Sequence, residues 1–205
     1  AVVGGERVVT VLAAGLKEEN SNSISGSADL YHTFGTIQTN LMVEGFYTDL
    51  SDVFAMRKLD QTDEAGNTVL ERYNGSGAYV AGVNVEAKAI FPGKIQLQSG
   101  LTWQSSRYKK PEQWSENTDV APVKRMFRTP DLYGYLTLNY DITRQFKATL
   151  TGTYTGRMLV QHMEGSGTDI DRAVETPRFF DANLRLSYEV KVFNTACLEF
   201  SLGVM

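Results

Sequence analysis

The chain has 205 residues, 42% of them hydrophobic and 21% charged, with a formal net charge of -4. That balance excludes an intrinsically disordered segment and lacks the basic footprint of a nucleic-acid binder. The single cysteine, Cys197, has no internal partner and reads as a small residue in a strand. No apolar run reaches the ~20 residues of a membrane-spanning helix, a fact that leaves membrane β-barrels untouched because their strands alternate.

In chain order, residues 1–21 form a lead-in, and the pattern predicts about eight strands after it. They fall at 22–33, 37–50, 77–91, 94–106, 132–141, 146–160, 179–190 and 193–205, each bounded to within about three residues. The third sets Tyr79, Ala81, Val83, Val85, Ala87 and Ala89 against Val80, Asn84, Glu86 and Lys88. In the sixth, Phe146, Ala148, Leu150, Gly152, Tyr154, Gly156 and Met158 alternate with Lys147, Thr149, Thr151, Thr153, Thr155 and Arg157. The seventh repeats it with Phe180, Ala182, Leu184, Leu186, Tyr188 and Val190 against Asp181, Asn183, Arg185, Ser187 and Glu189. Successive side chains on a strand point to opposite faces, so each segment has one apolar and one polar face.

The connections come in two kinds. Phe34-Gly35-Thr36, Pro92-Gly93-Lys94, Thr143-Arg144-Gln145 and Lys191-Val192 are tight reversals. Residues 51–76, 107–131 and 161–178 are long and polar. Short and long alternate strictly, so an up-and-down antiparallel meander puts every tight turn at one end and every long loop, with the 1–21 lead-in, at the other. Outer-membrane barrels sort their periplasmic turns and extracellular loops this way. The expected strands are long, whereas globular strands average ~5–6 residues and a tilted membrane strand needs ~9–11. Their apolar faces mix large residues with Gly26, Ala28, Ala81, Ala87, Gly152 and Gly156. A packed core must be filled, whereas lipid chains fill gaps themselves. Tyr47, Phe54, Tyr79, Phe91, Trp103, Tyr133, Tyr140, Phe146, Tyr154, Phe180 and Tyr188 lie near strand ends, where interfacial girdles sit.

Several short motifs carry a resemblance. Gly15-Leu16-Lys17-Glu18-Glu19-Asn20-Ser21 resembles the "LKPE-x-S" entry into late strands of TonB-dependent outer-membrane receptors, in particular those of Bacteroidetes. Val43-Glu44-Gly45-Phe46-Tyr47-Thr48, the segment Asn74 to Glu86, and Tyr154-Thr155-Gly156-Arg157-Met158 are similar in texture, and the likeness spans most of the chain. It implies a segment of a large, about 22-stranded barrel with an N-terminal plug, engagement of the TonB-ExbB-ExbD complex through that missing part, and import of an iron-siderophore, haem, cobalamin or glycan. Residues 1–205 then form a partial barrel domain with plug and last strands outside it, an expectation consistent with Leu202-Gly203-Val204-Met205 reading as strand without a cap. A surface lipoprotein over the loops, outer-membrane lipid around the wall and a small-molecule or glycan ligand are the partners this implies.

No catalytic, cofactor or metal constellation emerges. His32 and His162 fall at opposite ends of the meander. Asp60 to Asn67 misses the EF-hand order and reads as a solvated acidic hairpin tip. Gly75-Ser76-Gly77 precedes a strand, whereas a phosphate cradle needs a following helix. The Met56, Met158 and Met163 positions read as gap-fillers. The loop after the fourth strand interleaves Arg107, Tyr108, Lys109, Lys110, Trp114, Lys124, Arg125, Phe127 and Arg128 with Glu112, Glu116 and Asp119. Rings among cations can hold an anionic, conjugated or sugar-like ligand, so Tyr108, Trp114, Arg125, Phe127 and Arg128 are the ligand candidates. Two alternatives stand beside a receptor: a passive porin or structural barrel, and a soluble β-sandwich that binds carbohydrate.

Overall fold

The computed structural model describes residues 2–3, 6–115, 117, 119–165, 167–193 and 196–205. Its strands are β1 (Val2–Val3), β2 (Glu6–Leu12), β3 (Asn20–Phe34), β4 (Ile37–Ser51), β5 (Phe54–Thr62), β6 (Thr68–Asn74), β7 (Ala78–Phe91) and β8 (Ile95–Glu112). They continue as β9 (Val123–Arg125), β10 (Leu132–Asp141), β11 (Phe146–Thr155), β12 (Leu159–His162), β13 (Arg172–Glu175), β14 (Phe179–Phe193) and β15 (Ala196–Val204). Eight of them pair as an antiparallel meander in the order β3-β4-β7-β8-β10-β11-β14-β15, with β9 added beside β8. The sheet is open, with β3 and β15 at its edges.

Register carries the apolar stripe from β3 to β14. Val43 faces Ala28 and Val85, Val85 faces Leu101, Leu101 faces Gly134, Gly134 faces Tyr154, and Tyr154 faces Phe180. A slip of one residue at any pairing would turn that strand's apolar set to the other face. The glycine turns are local necessities: Gly35 and Gly93 take φ of 62° and 92°, and Lys94 follows at 67°.

Exposure is inverted relative to a water-soluble protein. On β4, Leu41, Val43 and Tyr47 are exposed while Met42, Glu44 and Thr48 between them are half-buried. On β7, Val83 and Val85 are exposed while Asn84 and Glu86 are half-buried, and β14 repeats the pattern with Leu184 and Tyr188 against Asn183 and Ser187. A flat sheet would expose both faces alike. The polar face is therefore the crowded inside of a curve and the apolar face its outside. Among the described residues the buried apolar side chains are Val69 and Ala78, whereas Trp103 is 67% exposed and Leu101 49%. An apolar outside without a core needs an apolar solvent, and a bilayer supplies it. No helix among the described residues is long and apolar enough to cross a membrane; the crossing elements are strands.

On the inner face two rings lie over glycines of the next strand. Phe46 partners Gly82, where an added Cβ would come 2.6 Å from the ring, and Tyr135 partners Gly100, where an added Cβ would clash with it outright. Glycine in mid-strand is here a seat for an aromatic neighbour.

The eight expected strands match β3, β4, β7, β8, β10, β11, β14 and β15, with four revisions. The long connections carry strands of their own. Residues 51–76 fold as the β5–β6 hairpin, and β2 of the lead-in joins β6 in parallel, Val9 facing Val69 and Val11 facing Glu71. β8 runs on to Glu112, β11 stops at Thr155 ahead of a separate β12–β13 hairpin, and β14 runs through Lys191-Val192 to Phe193. The strand around Lys191 bulges rather than turns, because pairing resumes at Phe193 with Ala196. The girdle also divides differently. Tyr47, Tyr79, Trp103, Tyr154 and Phe180 point outward at the loop side, and Phe91, Tyr140, Phe146 and Tyr188 outward at the turn side. Tyr133 shares the inner face with Thr102, and Phe54 belongs to the loop sheet.

Candidate functional site

The loop end is built on a length mismatch. β10 begins opposite Trp103, so β8 beyond Gln104 loses that neighbour and β9 takes its place, with Arg125 opposite Arg107 and Met126 N–H donating to the Ser106 carbonyl at 3.1 Å. On the other side the β5–β6 hairpin is fastened where it leaves the wall. Asn74 Nδ2 donates to the carbonyls of Lys17 and Asp52, at 2.9 and 2.7 Å, and its Oδ1 accepts from Lys17 N–H at 2.7 Å. Phe54 N–H donates to Glu19 Oε1. The Gly75-Ser76-Gly77 segment makes the tight crossing from hairpin to β7. Gly77 has φ of 80°, and a Cβ there would come 2.5 Å from the Leu50 carbonyl, so backbone approach, not anion binding, accounts for the glycine.

These elements enclose a cavity of about 220 Å³ lined by Phe54, Met56, Tyr108, Glu112, Gln113, Trp114, Phe127 and Gln161, with the Val53 and Gly75–Gly77 backbone. Trp114 and Phe127 meet edge to face with centroids 5.3 Å apart, an arrangement suited to ring quadrupoles. Trp114 Nε1 is held by the Ala121 carbonyl at 3.2 Å, and Gln113 Nε2 gathers the carbonyls of Ser115, Asn117 and Val120. Glu112 Oε1 accepts from Tyr73 Oη at 3.2 Å. Burial first, and the Glu112 charge second, push the Tyr73 phenol above its ordinary range. The Arg57 guanidinium lies over that ring, 4.9 Å from its centroid.

The five candidates thus separate. Tyr108, Trp114 and Phe127 line one cavity. Arg125, 17% exposed, is committed internally: it pairs with Asp131 at 3.0 Å and Glu175 at 2.8 Å and donates to the Arg157 carbonyl at 2.9 Å, binding the loop after β8 to the β12–β13 hairpin. Its Nε is buried without a partner. Arg128 has φ of 57°, an uncommon conformation for a side chain of this kind. With Thr129 and Pro130 it overhangs a second cavity, of about 670 Å³, on the inner face above Glu86, Thr102, Gln104, Tyr135 and Thr153. A chain of hydrogen bonds from Thr102 Oγ1 to Asn84 Oδ1 and Asn84 Nδ2 to Glu44 Oε2, both 2.8 Å, runs beside it.

Sequence reasoning missed Phe54, Met56, Gln113 and Gln161. Gln161 sits on a hairpin some fifty residues downstream, brought in by the bridge of Phe127 to Leu159 and by Arg128 N–H donating to the Leu159 carbonyl at 2.8 Å; nothing local signals it. The loop tips are joined as well. Asp171 accepts from Ser115 Oγ at 2.6 Å and Glu164 N–H at 2.7 Å, and these bonds draw its carboxyl below the usual range. Asp63 caps the acidic hairpin tip: it accepts from the Asn67 side-chain amide and from Asn67 and Ala65 N–H, and these bonds, the side-chain one foremost, draw its carboxyl down. His32 packs on Phe34 near a tight turn and His162 ends β12. Among the described residues no group of three or more His, Cys, Asp or Glu could hold a metal. Glu116 lies outside the described residues.

The profile of the family described as "TonB dependent receptor-like, beta-barrel" matches residues 4–205. Among solved structures, the FrpB iron transporter from Neisseria meningitidis (F3-3 variant) superposes with TM-score 0.57 at 14% identity, over 90% of this chain and 26% of that one. The siderophore receptor PirA from Acinetobacter baumannii gives 0.53 at 15%, over 84% and 26%. The ferric-catecholate import receptor Fiu from E. coli K12, in its closed form, gives 0.55 at 16%, over 88% and 23%. At these identities the likeness is one of fold, and the chain spans about a quarter of the length of each. No curated protein matches it.

Proposed function

Because the chain belongs to the β-barrel family of TonB-dependent receptors, we propose that it forms the wall and part of the ligand vestibule of a nutrient importer. Barrels of this family lie in the outer membrane of Gram-negative bacteria, and the inverted exposure of β4, β7 and β14 agrees with that setting. The observation that carries the reading is the joined layer of loops at one end of the wall. Passive pores need an open mouth. Here Glu112–Tyr73, Arg125–Glu175 and Ser115–Asp171 tie three connections to one another at that end.

In this reading a ligand meets Tyr108, Trp114 and Phe127 at the loops, then Arg128 and the polar inner face. Arg125 braces the vestibule and leaves recognition to its neighbours. Transport runs through the plug and the TonB-ExbB-ExbD complex, which act on parts of the protein outside this chain. The solved relatives are named for iron, siderophore and ferric-catecholate import, which makes ferric chelates the first ligands to test, with haem, cobalamin and glycans after them. The entry motif at Gly15 to Ser21 favours the Bacteroidetes type, in which a surface lipoprotein would cover the loops.

The test is uptake by the full-length protein. Trp114→Ala together with Phe127→Ala should weaken ligand binding by about 2 kcal/mol, roughly 30-fold, while leaving heat-modifiable gel migration intact. Unchanged binding of every chelate, cobalamin and glycan that the wild type takes up would remove this cavity from the route.

A further inference from the structure

The wall has a third cavity, and it opens on the outside. About 790 Å³ in volume, it runs over Gly26 and Gly45, which face each other across β3 and β4, between the walls of Ile24, Tyr47, Val83 and Trp103. A Cβ built on either glycine meets nothing within 4 Å. The groove is therefore a true gap in the outer surface. A strand added to the free edge of β3 would extend the sheet sideways and leave this face uncovered.

Its height is fixed by its neighbours. The Tyr47 and Tyr79 rings stack above it at 6.2 Å, on the loop side of the wall, where an aromatic girdle marks the membrane–water boundary. Arg107, opposite Tyr79 and in the same outward register, lines its upper end. The nearby cations are neutralised: Lys109 by Asp49 at 2.8 Å, and Arg125 by Asp131 and Glu175. Asp131, which also borders the groove, is the same carboxylate that holds Arg125. Arg107 has no ion pair or side-chain hydrogen bond among the described residues. An unpaired guanidinium over an apolar trough at headgroup depth complements an amphiphile with an anionic head.

We propose that this groove binds a phosphorylated, acylated lipid of the outer leaflet. One acyl chain lies along Gly26 and Gly45, and the phosphate meets Arg107. Bulk acyl chains wet the whole wall; what distinguishes this site is a dent sized for a chain with a cation at its head. The proposal rests on the outer-membrane reading of the wall.

The experiment uses the full-length receptor in phosphatidylcholine vesicles doped with lipid A or its dephosphorylated form, with retained lipid counted by native mass spectrometry. The wild type should retain the phosphorylated form about tenfold better. Arg107→Gln should erase that preference, and Gly45→Leu, which fills the trough, should lose both forms without altering heat-modifiable migration. Equal retention of the two forms by the wild type, no retention of either, or full retention by Gly45→Leu would overturn the site. Should Gly45→Leu fail to fold, the phosphate preference of the wild type and its loss in Arg107→Gln still decide. A wild type lacking heat-modifiable migration would overturn the membrane placement and the site together, which separates that failure from the others.

Discussion

The wall and the loop layer are both made of β-strands, yet opposite forces hold them. In the wall the backbone ladder does the work, and the apolar side chains face outward, where water would make them a liability. Burial drives nothing there, because lipid is as apolar as leucine. In the loop layer, side chains join elements far apart in sequence: Asn74 to Lys17, Tyr73 to Glu112, Ser115 to Asp171, Arg125 to Glu175. The wall rejects charge on its outer face and rejects added bulk where a ring sits over Gly82 or Gly100. The loop layer tolerates charge and rejects the loss of particular partners.

The sharpest test of that contrast is a charge placed on each face of one strand. Val85→Lys, outward at mid-strand, should cost about 2–4 kcal/mol, whereas Glu86→Lys, on the inner face, should cost well under 1 kcal/mol. Urea unfolding of the full-length protein in lipid vesicles reads both, and equal costs would undo the assignment of faces.

Next in size is Arg125→Ala. It strands Asp131, leaves Glu175 only the longer contact with Arg157 at 3.5 Å, and should release about 1.5–3 kcal/mol of local stability. Because the loss belongs to the loop layer, faster protease cleavage within residues 157–178 should report it while the melting of the wall stays unchanged. A comparable effect with another cause is expected at Gly100→Ala. Its Cβ would strike the Tyr135 ring, costing about 1–3 kcal/mol of overpacking. Pairing it with Tyr135→Ala should recover most of that loss.

Acid should give the smallest change. The Asp171 carboxyl is held below its ordinary value, so its contribution is complete above that value, about pH 4, and fades as pH falls through the depressed one. Amide exchange at Glu164 should therefore quicken only in that acid window while wall amides stay protected. Quickening near neutral pH would assign the loop tie to some other group.

Much of the wall was legible because a strand of alternating polarity declares its own faces. Phe146 to Thr155 needs no partner to be recognised, and tight turns such as Pro92-Gly93-Lys94 announce themselves. The Lys191-Val192 reversal was misplaced because a bulge and a turn share the same residue types. The site was harder. Tyr108, Trp114 and Phe127 stood out by composition alone, but composition could not tell Arg125, spent on two carboxylates, from Arg128, which is exposed above the inner face.

The sequence alone determined the eight strands of the wall, their two faces and the sorting of loops to one end, because these depend on a period of two and on local turn chemistry. Only the tertiary structure decided that β2 pairs in parallel with β6, that Gly77 must pass against the Leu50 carbonyl, and that Gln161 completes the loop cavity. Each of these depends on residues distant along the chain whose meeting lowers the free energy of both, and no local pattern encodes a partner.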